Sequence, residues 1–352
     1  SRNNSICKDS MLGIYTAVMT DTGCFKYSNT DQKCHEIAIE AIQNGIETLA
    51  IQETKIAVNK MEKRDILVIF GPTASGKSKL ATQIASKHKS AIINFDSLQV
   101  YKDLKILTDR PDGEICKKFD HRLYGILKGS ESCSAAIWLK KAEYEINNCF
   151  DNKLLPIVVG GTGLYLKALM DGLSEIPSIK KNIEEQAKLD LETYGLDHLY
   201  KKIFIKYQGT KINPNDKQRI MRSYSLLLQT GKVLEEWQFN PNKKIDNVNY
   251  RVILTGNLRE KLYESAAQRV ENMFRDGAVA EVQSLIEKNY SAELSIMKAI
   301  GVREITNFID GKVSLDEAKS IMKKNTRNYI KRQDTWIKSN NINQNVDIKK
   351  YL

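Results

Sequence analysis

The stretch Ile66-Leu67-Val68-Ile69-Phe70-Gly71-Pro72-Thr73-Ala74-Ser75-Gly76-Lys77-Ser78 decides the fold. Its first five residues form an unbroken apolar run of strand length, the pattern of a strand buried on both faces. Residues 71–78 then satisfy GxxxxGK[ST]. Glycines let backbone amides turn inward around phosphate oxygens, and a following helix adds its positive dipole end. Such a helix is predicted from Lys79 to His88, with Leu80, Ile84 and Ala85 spaced for one face. In this arrangement Gly71, Pro72, Thr73, Ala74, Ser75, Gly76, Lys77 and Ser78 form a phosphate cradle. Lys77 neutralises a terminal phosphate, and the Ser78 hydroxyl is a Mg2+ ligand.

Two further units repeat the scheme. Ala91–Phe95 reads as a second strand and runs into Asp96-Ser97-Leu98-Gln99-Val100-Tyr101. Leu154–Val159 reads as a third and runs into Gly160-Gly161-Thr162-Gly163-Leu164-Tyr165. Strand, Gly- or Asp-containing turn and helix, repeated three times, predict an α/β fold with a parallel sheet and crossover helices. Ligands in such sheets bind at the carboxyl ends of the strands. Asp96 therefore falls beside the phosphates, as a general base or metal ligand or as an ordinary helix cap. The small residues after the third strand suit either close approach to a ligand or a tight turn. A phosphate loop by itself leaves kinase, NTPase and transferase chemistry open.

Composition narrows the class. The chain has 352 residues, 41% apolar and 28% charged, which fits about two globular domains. No apolar run is long enough for a membrane span, and no secretory signal pattern is present. The six cysteines are scattered, without CxxC pairs, so a disulfide scaffold is not expected and a reducing, cytoplasmic setting is. Net charge is +11, which favours a polyanionic partner. The surplus is uneven. Residues 1–60 carry six Lys and Arg against seven Asp and Glu, whereas residues 61–352 carry 48 against 36. Met61, just before the first strand, is therefore expected to be a natural start.

The leading segment reads differently. Residues 15–20 are β-prone, Asp21-Thr22-Gly23 is turn-like, and residues 34–58 show helical spacing through Ile39, Ile42, Ile46 and Leu49. Residues 11–58 resemble a fragment of the DHH-family phosphoesterases, a resemblance that implies a metal-binding role for Asp21. The DHH triplet and the other acidic motifs are absent, and one carboxylate cannot hold a hydrolytic metal pair. The expectation is that residues 1–60 are an extra, non-functional remnant or fusion.

Residues 64–338 resemble the tRNA dimethylallyltransferase (tRNA isopentenyltransferase) family. The matching motifs, in family order, are GPTASGKS, DSLQVY, VVGGTGLYLKAL, Asn215–Arg222 with Thr230-Gly231, Leu262-Tyr263-Glu264 with Arg269-Val270 and Met273, Ala299–Glu304, and Thr326–Trp336. The resemblance implies a P-loop NTPase-like core over 61–170 and 251–352, including C-terminal helices, with a helical tRNA-binding insertion at 171–250. It implies that dimethylallyl diphosphate donates its five-carbon group to the exocyclic amine of an adenosine adjacent to the anticodon. Asp96, Thr73 and Lys77 are the implied catalytic residues, and the anticodon stem-loop is the implied partner. Implied tRNA contacts are Asp96, Ser97, Leu98, Gln99 and Thr162, with Gln218, Arg219, Ile220, Met221 and Arg222. Mg2+ is the implied cofactor, and a monomer is expected. The chain departs from the family pattern at 101–111 and around Asp120-His121-Arg122-Leu123, and the DPxxA step before Asn213-Pro214-Asn215-Asp216 is missing.

Charge placement agrees with an RNA partner without requiring one. Arg219 and Arg222 share a helix face. Residues 321–338 hold six Lys and Arg and one acid, with Lys324, Lys331 and Lys338 seven apart and Met322, Tyr329 and Trp336 on another face. Tyr329 and Trp336 are expected to pack into the core rather than stack on bases. Three other readings stay open from sequence: a P-loop small-metabolite kinase, an adenylate isopentenyltransferase, and an inactive RNA-binding relative.

Overall fold

In the computed structural model, described residues are 13–15, 17, 18, 32–43, 64–238, 245, 247–256 and 258–352. The chain divides into two compact units, Ser1–Lys63 and Arg64–Leu352. In the first, helix α1 spans Gln32–Gln43, with Ala41 buried and Ile39 56% exposed. Residues 13–15, 17 and 18 are helical, so the strand expected at 15–20 is not formed there. A β-prone run needs a neighbouring strand to pair with, and the described residues of this unit contain none. Asp21 and the remainder of the helix expected to reach residue 58 lie outside the described residues.

The second unit is built on a five-stranded parallel sheet. In chain order it runs β1 (Arg64–Phe70), α2 (Lys77–Ala85), β2 (Ser90–Asn94), α3 (Gly113–Lys118), β3 (Asp120–Arg122), α4 (Ala135–Asp151), β4 (Leu155–Gly160) and α5 (Gly163–Asp171). Helices α6 (Lys181–Lys206), α7 (Lys217–Thr230) and α8 (Leu234–Trp237) come next. Then follow β5 (Val248–Leu254), α9 (Arg259–Arg275), α10 (Ala278–Glu287), α11 (Val302–Ile309) and α12 (Leu315–Ser339). The strand order is β3-β2-β4-β1-β5. Val68 pairs with Val158 on one side and Val252 on the other, and Ile92 pairs with Ile157.

The apolar runs are explained by burial on both faces. Val68, Phe70, Ile93 and Val158 pack with Trp138, Leu166 and Val270 in one hydrophobic cluster. Leu67, Ile69, Ile92 and Ile157 pack with Ala81 and Ile84 of α2 in the other. Trp138 is fixed further by an indole N–H donated to the Asn94 carbonyl at 2.8 Å. The β5 edge is closed by the chain's own tail. Asn345 accepts from Val252 N at 2.7 Å and donates its side-chain amide to Tyr250 O at 2.8 Å. This satisfies edge groups that would otherwise invite another strand.

Helices α6 and α7 enclose a separate cluster of Ala187, Leu199, Ile203, Ile212, Ile220 and Tyr224. Gly195 breaks α6 with φ 78°, a left-handed conformation that suits glycine. Ile220 is fully buried here, so its side chain offers no surface to RNA in this arrangement. Met221 is partly buried in the same cluster. On α12, Met322 and Ile330 are buried while Lys324, Lys331 and Lys338 are exposed, as the spacing predicts. Trp336 packs edge-on against Phe70 with ring centroids 5.7 Å apart, and Tyr329 is half-buried.

Candidate active site

The phosphate loop leaves the buried end of β1 and enters α2. Gly76 has φ 83° and Ala74 has φ 62°, so the loop turns through two left-handed residues. Gly71 is pressed beneath Thr255, and a Cβ there would overlap the Thr255 carbonyl oxygen. The Ser75 and Thr255 hydroxyls share a hydrogen bond of 2.7 Å, so the end of β5 holds the loop from one side. Gly71 and Pro72 are buried below, while Thr73 to Ser78 line a cleft of about 1230 Å³.

Lys77 donates to the Pro72 carbonyl at 2.6 Å. Burial pushes its pKa down to about 8, opposed by the Asp96 carboxylate, reinforced by the nearby Arg269 charge and opposed again by Asp109. Burial thus loosens the ammonium's hold on its proton, and an anion bound beside it would tighten that hold again. Ser78, at the first turn of α2, is exposed to the cleft.

Asp96 lines the same cleft, at the carboxyl end of β2. Its Oδ1 accepts from Leu98 N at 2.9 Å and from Gln99 N at 3.4 Å. Its own amide donates to Asn94 Oδ1 at 2.8 Å. The residue therefore caps the turn and also lines the cleft. Burial, followed by the Asp96 charge, raises the Tyr124 and Tyr329 pKa values. Thr162 Oγ1 accepts from Ser97 N at 3.1 Å, which ties the Asp96–Gln99 turn to the end of β4. Gln99 reaches the cleft and donates to Thr108 O at 2.8 Å, whereas Leu98 packs partly into the main core.

The glycines at the end of β4 and just after it are tightly packed against protein groups. A Cβ on Gly160 would overlap the Phe95 backbone, one on Gly161 the Gln333 amide, and one on Gly163 the Trp336 indole. Close approach is required, as the composition suggested, but the approaching groups are protein. Gly163→Ala is expected to destabilise the fold by about 1–3 kcal/mol through overpacking against Trp336. Thermal denaturation of the variant checks this, and a wild-type melting point would contradict it.

The far wall comes from distant sequence. Arg269 of α9 donates to Thr73 Oγ1 at 2.9 Å and pairs with Asp109 at 3.5 Å. Gln333 of α12 accepts from Thr73 N at 2.8 Å and donates to Gly161 O at 2.9 Å. Arg269 and Gln333 belong to the matching motifs, but nothing local in the sequence marks them as site residues, because a cation three turns into a helix carries no local signal. The divergent 101–111 loop is firmly anchored. The Glu281 carboxylate accepts from the Lys105, Ile106 and Leu107 amides at 2.6, 2.8 and 3.0 Å. Asp103 accepts from Gly129 N at 2.6 Å and pairs with Lys288.

Asp216 caps α7 by accepting from Arg219 N, and Gln218 and Arg219 are exposed. Arg222 donates to Pro177 O at 3.1 Å, so part of its role is to hold the segment leading into α6.

A parallel sheet with a GxxxxGK[ST] loop at its carboxyl edge, and a carboxylate lining the same cleft as the loop lysine, defines a P-loop type protein. Comparison with known proteins narrows this. A family profile described as IPP transferase matches residues 99–340, and one described as isopentenyl transferase matches residues 64–129. The tRNA dimethylallyltransferase of Wolbachia pipientis subsp. Culex pipiens is 39% identical over 288 residues, 81% of this chain and 95% of its own. That of Rickettsia felis is 37% identical over 282 residues, 79% of this chain and 91% of its own. The solved tRNA delta(2)-isopentenylpyrophosphate transferase of Staphylococcus epidermidis superposes with a TM-score of 0.56 at 31% identity, over 82% of this chain and 94% of that one. A eukaryotic dimethylallyltransferase acting on tRNA gives 0.65 at 28% identity, over 78% of this chain and 70% of that one. The chain belongs to the tRNA dimethylallyltransferase (IPP transferase) family.

Proposed function

We propose that this chain transfers a dimethylallyl group from dimethylallyl diphosphate to the exocyclic amine of the adenosine adjacent to the anticodon in tRNA, with Asp96, Thr73 and Lys77 at the reacting centre. One observation carries the assignment of residues: all three line a single cleft at the sheet's carboxyl edge.

The amine lone pair attacks the first carbon of the dimethylallyl group as the carbon–oxygen bond to diphosphate breaks. The electron pair of that bond leaves with the diphosphate. Lys77, Arg269 and the loop amides are placed to offset the charge that builds there. Asp96 takes the proton released by the amine through the carboxylate that also caps the turn. Thr73, its hydroxyl held by Arg269, meets the diphosphate end. The Asp96–Gln99 turn and Thr162 hold the target base, which must leave its stack to enter the cleft. A single-stranded anticodon loop makes that departure less costly.

Mg2+ suits the donor set. It is usually held by few protein groups together with substrate phosphates, and Ser78 presents a hydroxyl beside the cradle. The described residues contain no cluster of three or more His, Cys, Asp or Glu that could hold a metal alone. When bound, the ion supplies charge neutralisation on the diphosphate. No helix among the described residues is long and apolar enough to cross a membrane.

The exposed faces of α7 and α12 suit an RNA backbone. Arg219→Ala is expected to weaken tRNA binding and to shallow its salt dependence, because a phosphate contact releases a counterion. Dimethylallyl diphosphate affinity should not change. Titrations at several salt concentrations check this, and an unchanged salt slope would remove Arg219 from the interface. The function itself is tested by offering tRNA, AMP and ATP as acceptors. Alkylation of tRNA alone is expected, and alkylation of AMP would make the chain an adenylate isopentenyltransferase.

A further inference from the structure

We infer that Gln333 is a positioning residue of the diphosphate cradle: it locks the peptide between Pro72 and Thr73, and through that peptide it sets where Lys77 and the Thr73 hydroxyl rest. The inference rests on the loop's role as the diphosphate cradle.

The peptide is gripped at both ends. Its carbonyl, Pro72 O, accepts from Lys77 Nζ at 2.6 Å. Its amide, Thr73 N, donates to Gln333 Oε1 at 2.8 Å. The other half of the Gln333 amide donates to Gly161 O at 2.9 Å. Only one orientation of the side-chain amide satisfies both partners, since one requires an acceptor and the other a donor. Gln333 is 7% exposed, so water does not readily replace either bond.

Three separate features converge on this side chain. Gly161 has no room for a Cβ because the Gln333 amide occupies that space. Trp336, one turn along α12, fills the place beside Gly163 and is wedged against Phe70. The helix is thereby held at a fixed height above the loop. Arg269 then meets the Thr73 hydroxyl, which would point elsewhere if the peptide turned over. Without Gln333, Thr73 N loses its buried acceptor, and the peptide is free to rotate. Pro72 O then no longer holds Lys77 in readiness for the diphosphate.

A merely space-filling glutamine makes a different prediction from a peptide lock, and substitution by glutamate separates them. The protonated carboxyl has one acceptor and one donor, so it reproduces both bonds. The ionised carboxylate only accepts, and it opposes Gly161 O. Burial raises the pKa of such a carboxyl while the Lys77 and Arg269 charges lining the same cleft lower it, so the change stays in an accessible range. The experiment is equilibrium binding of inorganic pyrophosphate across pH to wild type, Gln333→Glu and Gln333→Met. Single-turnover transfer to tRNA is measured alongside.

Gln333→Met is expected to weaken pyrophosphate binding about tenfold, the scale of one orphaned buried hydrogen bond. Gln333→Glu should match wild type at low pH and fall behind by a similar factor as pH rises. A variant-to-wild-type ratio that stays flat with pH, or wild-type affinity in Gln333→Met, overturns the proposal. If Gln333→Met does not fold, the pH ratio for Gln333→Glu decides alone. If wild type binds pyrophosphate but transfers nothing to tRNA, the donor assignment fails while the Gln333 result still stands on the binding arm.

Discussion

Asp96→Asn is expected to slow dimethylallyl transfer by about 10²–10⁴, the usual range for losing acid–base assistance. The substitution is nearly isosteric, and the amide oxygen can still accept from Leu98 N and Gln99 N in the place of Oδ1. The turn should therefore survive while the basic oxygen is lost. That separation matters, because Asp96 is demonstrably a cap and the assignment as base must be tested apart from it. Donor binding should change little, since the cradle is made by the loop. Single-turnover transfer and equilibrium donor binding check both statements. Transfer at the wild-type rate would reduce Asp96 to a cap.

Lys77→Ala is expected to act in the opposite order, weakening dimethylallyl diphosphate binding before it affects anything else. The side chain belongs to the loop itself and is already turned inward on Pro72 O. Its pKa, pushed down to about 8 by burial, gives a second signature. Below about 8 the free enzyme carries a charged Lys77 ready for an anion. Above it the proton must be taken up on binding, so wild-type donor affinity should fall as pH rises through that value. Lys77→Ala should lose this limb while keeping any other pH dependence. Donor titrations between neutral and alkaline pH measure it. An unchanged limb in the variant would show that another group titrates.

The sheet was legible where strands are apolar runs that end in a turn of special chemistry. β1, β2 and β4 each do so, and their carboxyl ends mark the cleft. β3 was not legible, because Asp120-His121-Arg122 contains no apolar residue and is a strand only through its pairing with β2. β5 was missed as well, although apolar Val248, Tyr250 and Val252 alternate there with Asn249 and Arg251. The strand order depends on which runs meet in space and leaves no local trace. The candidate site divides in the same way. Residues 71–78 and Asp96 announce themselves by type and spacing. Arg269, Gln333 and Thr255 reach the loop from 180 to 260 positions away in sequence. Gly161 and Gly163 show the limit of reading a glycine: the sequence says that something comes close, and only the packing says that it is Gln333 and Trp336.

The central claim is that this cleft alkylates an adenosine beside the anticodon. It is tested most directly by mass spectrometry of tRNA nucleosides after incubation of unmodified tRNA with the enzyme, Mg2+ and dimethylallyl diphosphate. The account predicts one adenosine per reactive tRNA, adjacent to the anticodon, carrying an added five-carbon group on its exocyclic nitrogen, and much slower accumulation of it with Asp96→Asn. An unmodified tRNA pool from wild-type enzyme that binds both substrates, or the five-carbon group on any other nucleoside, would contradict it.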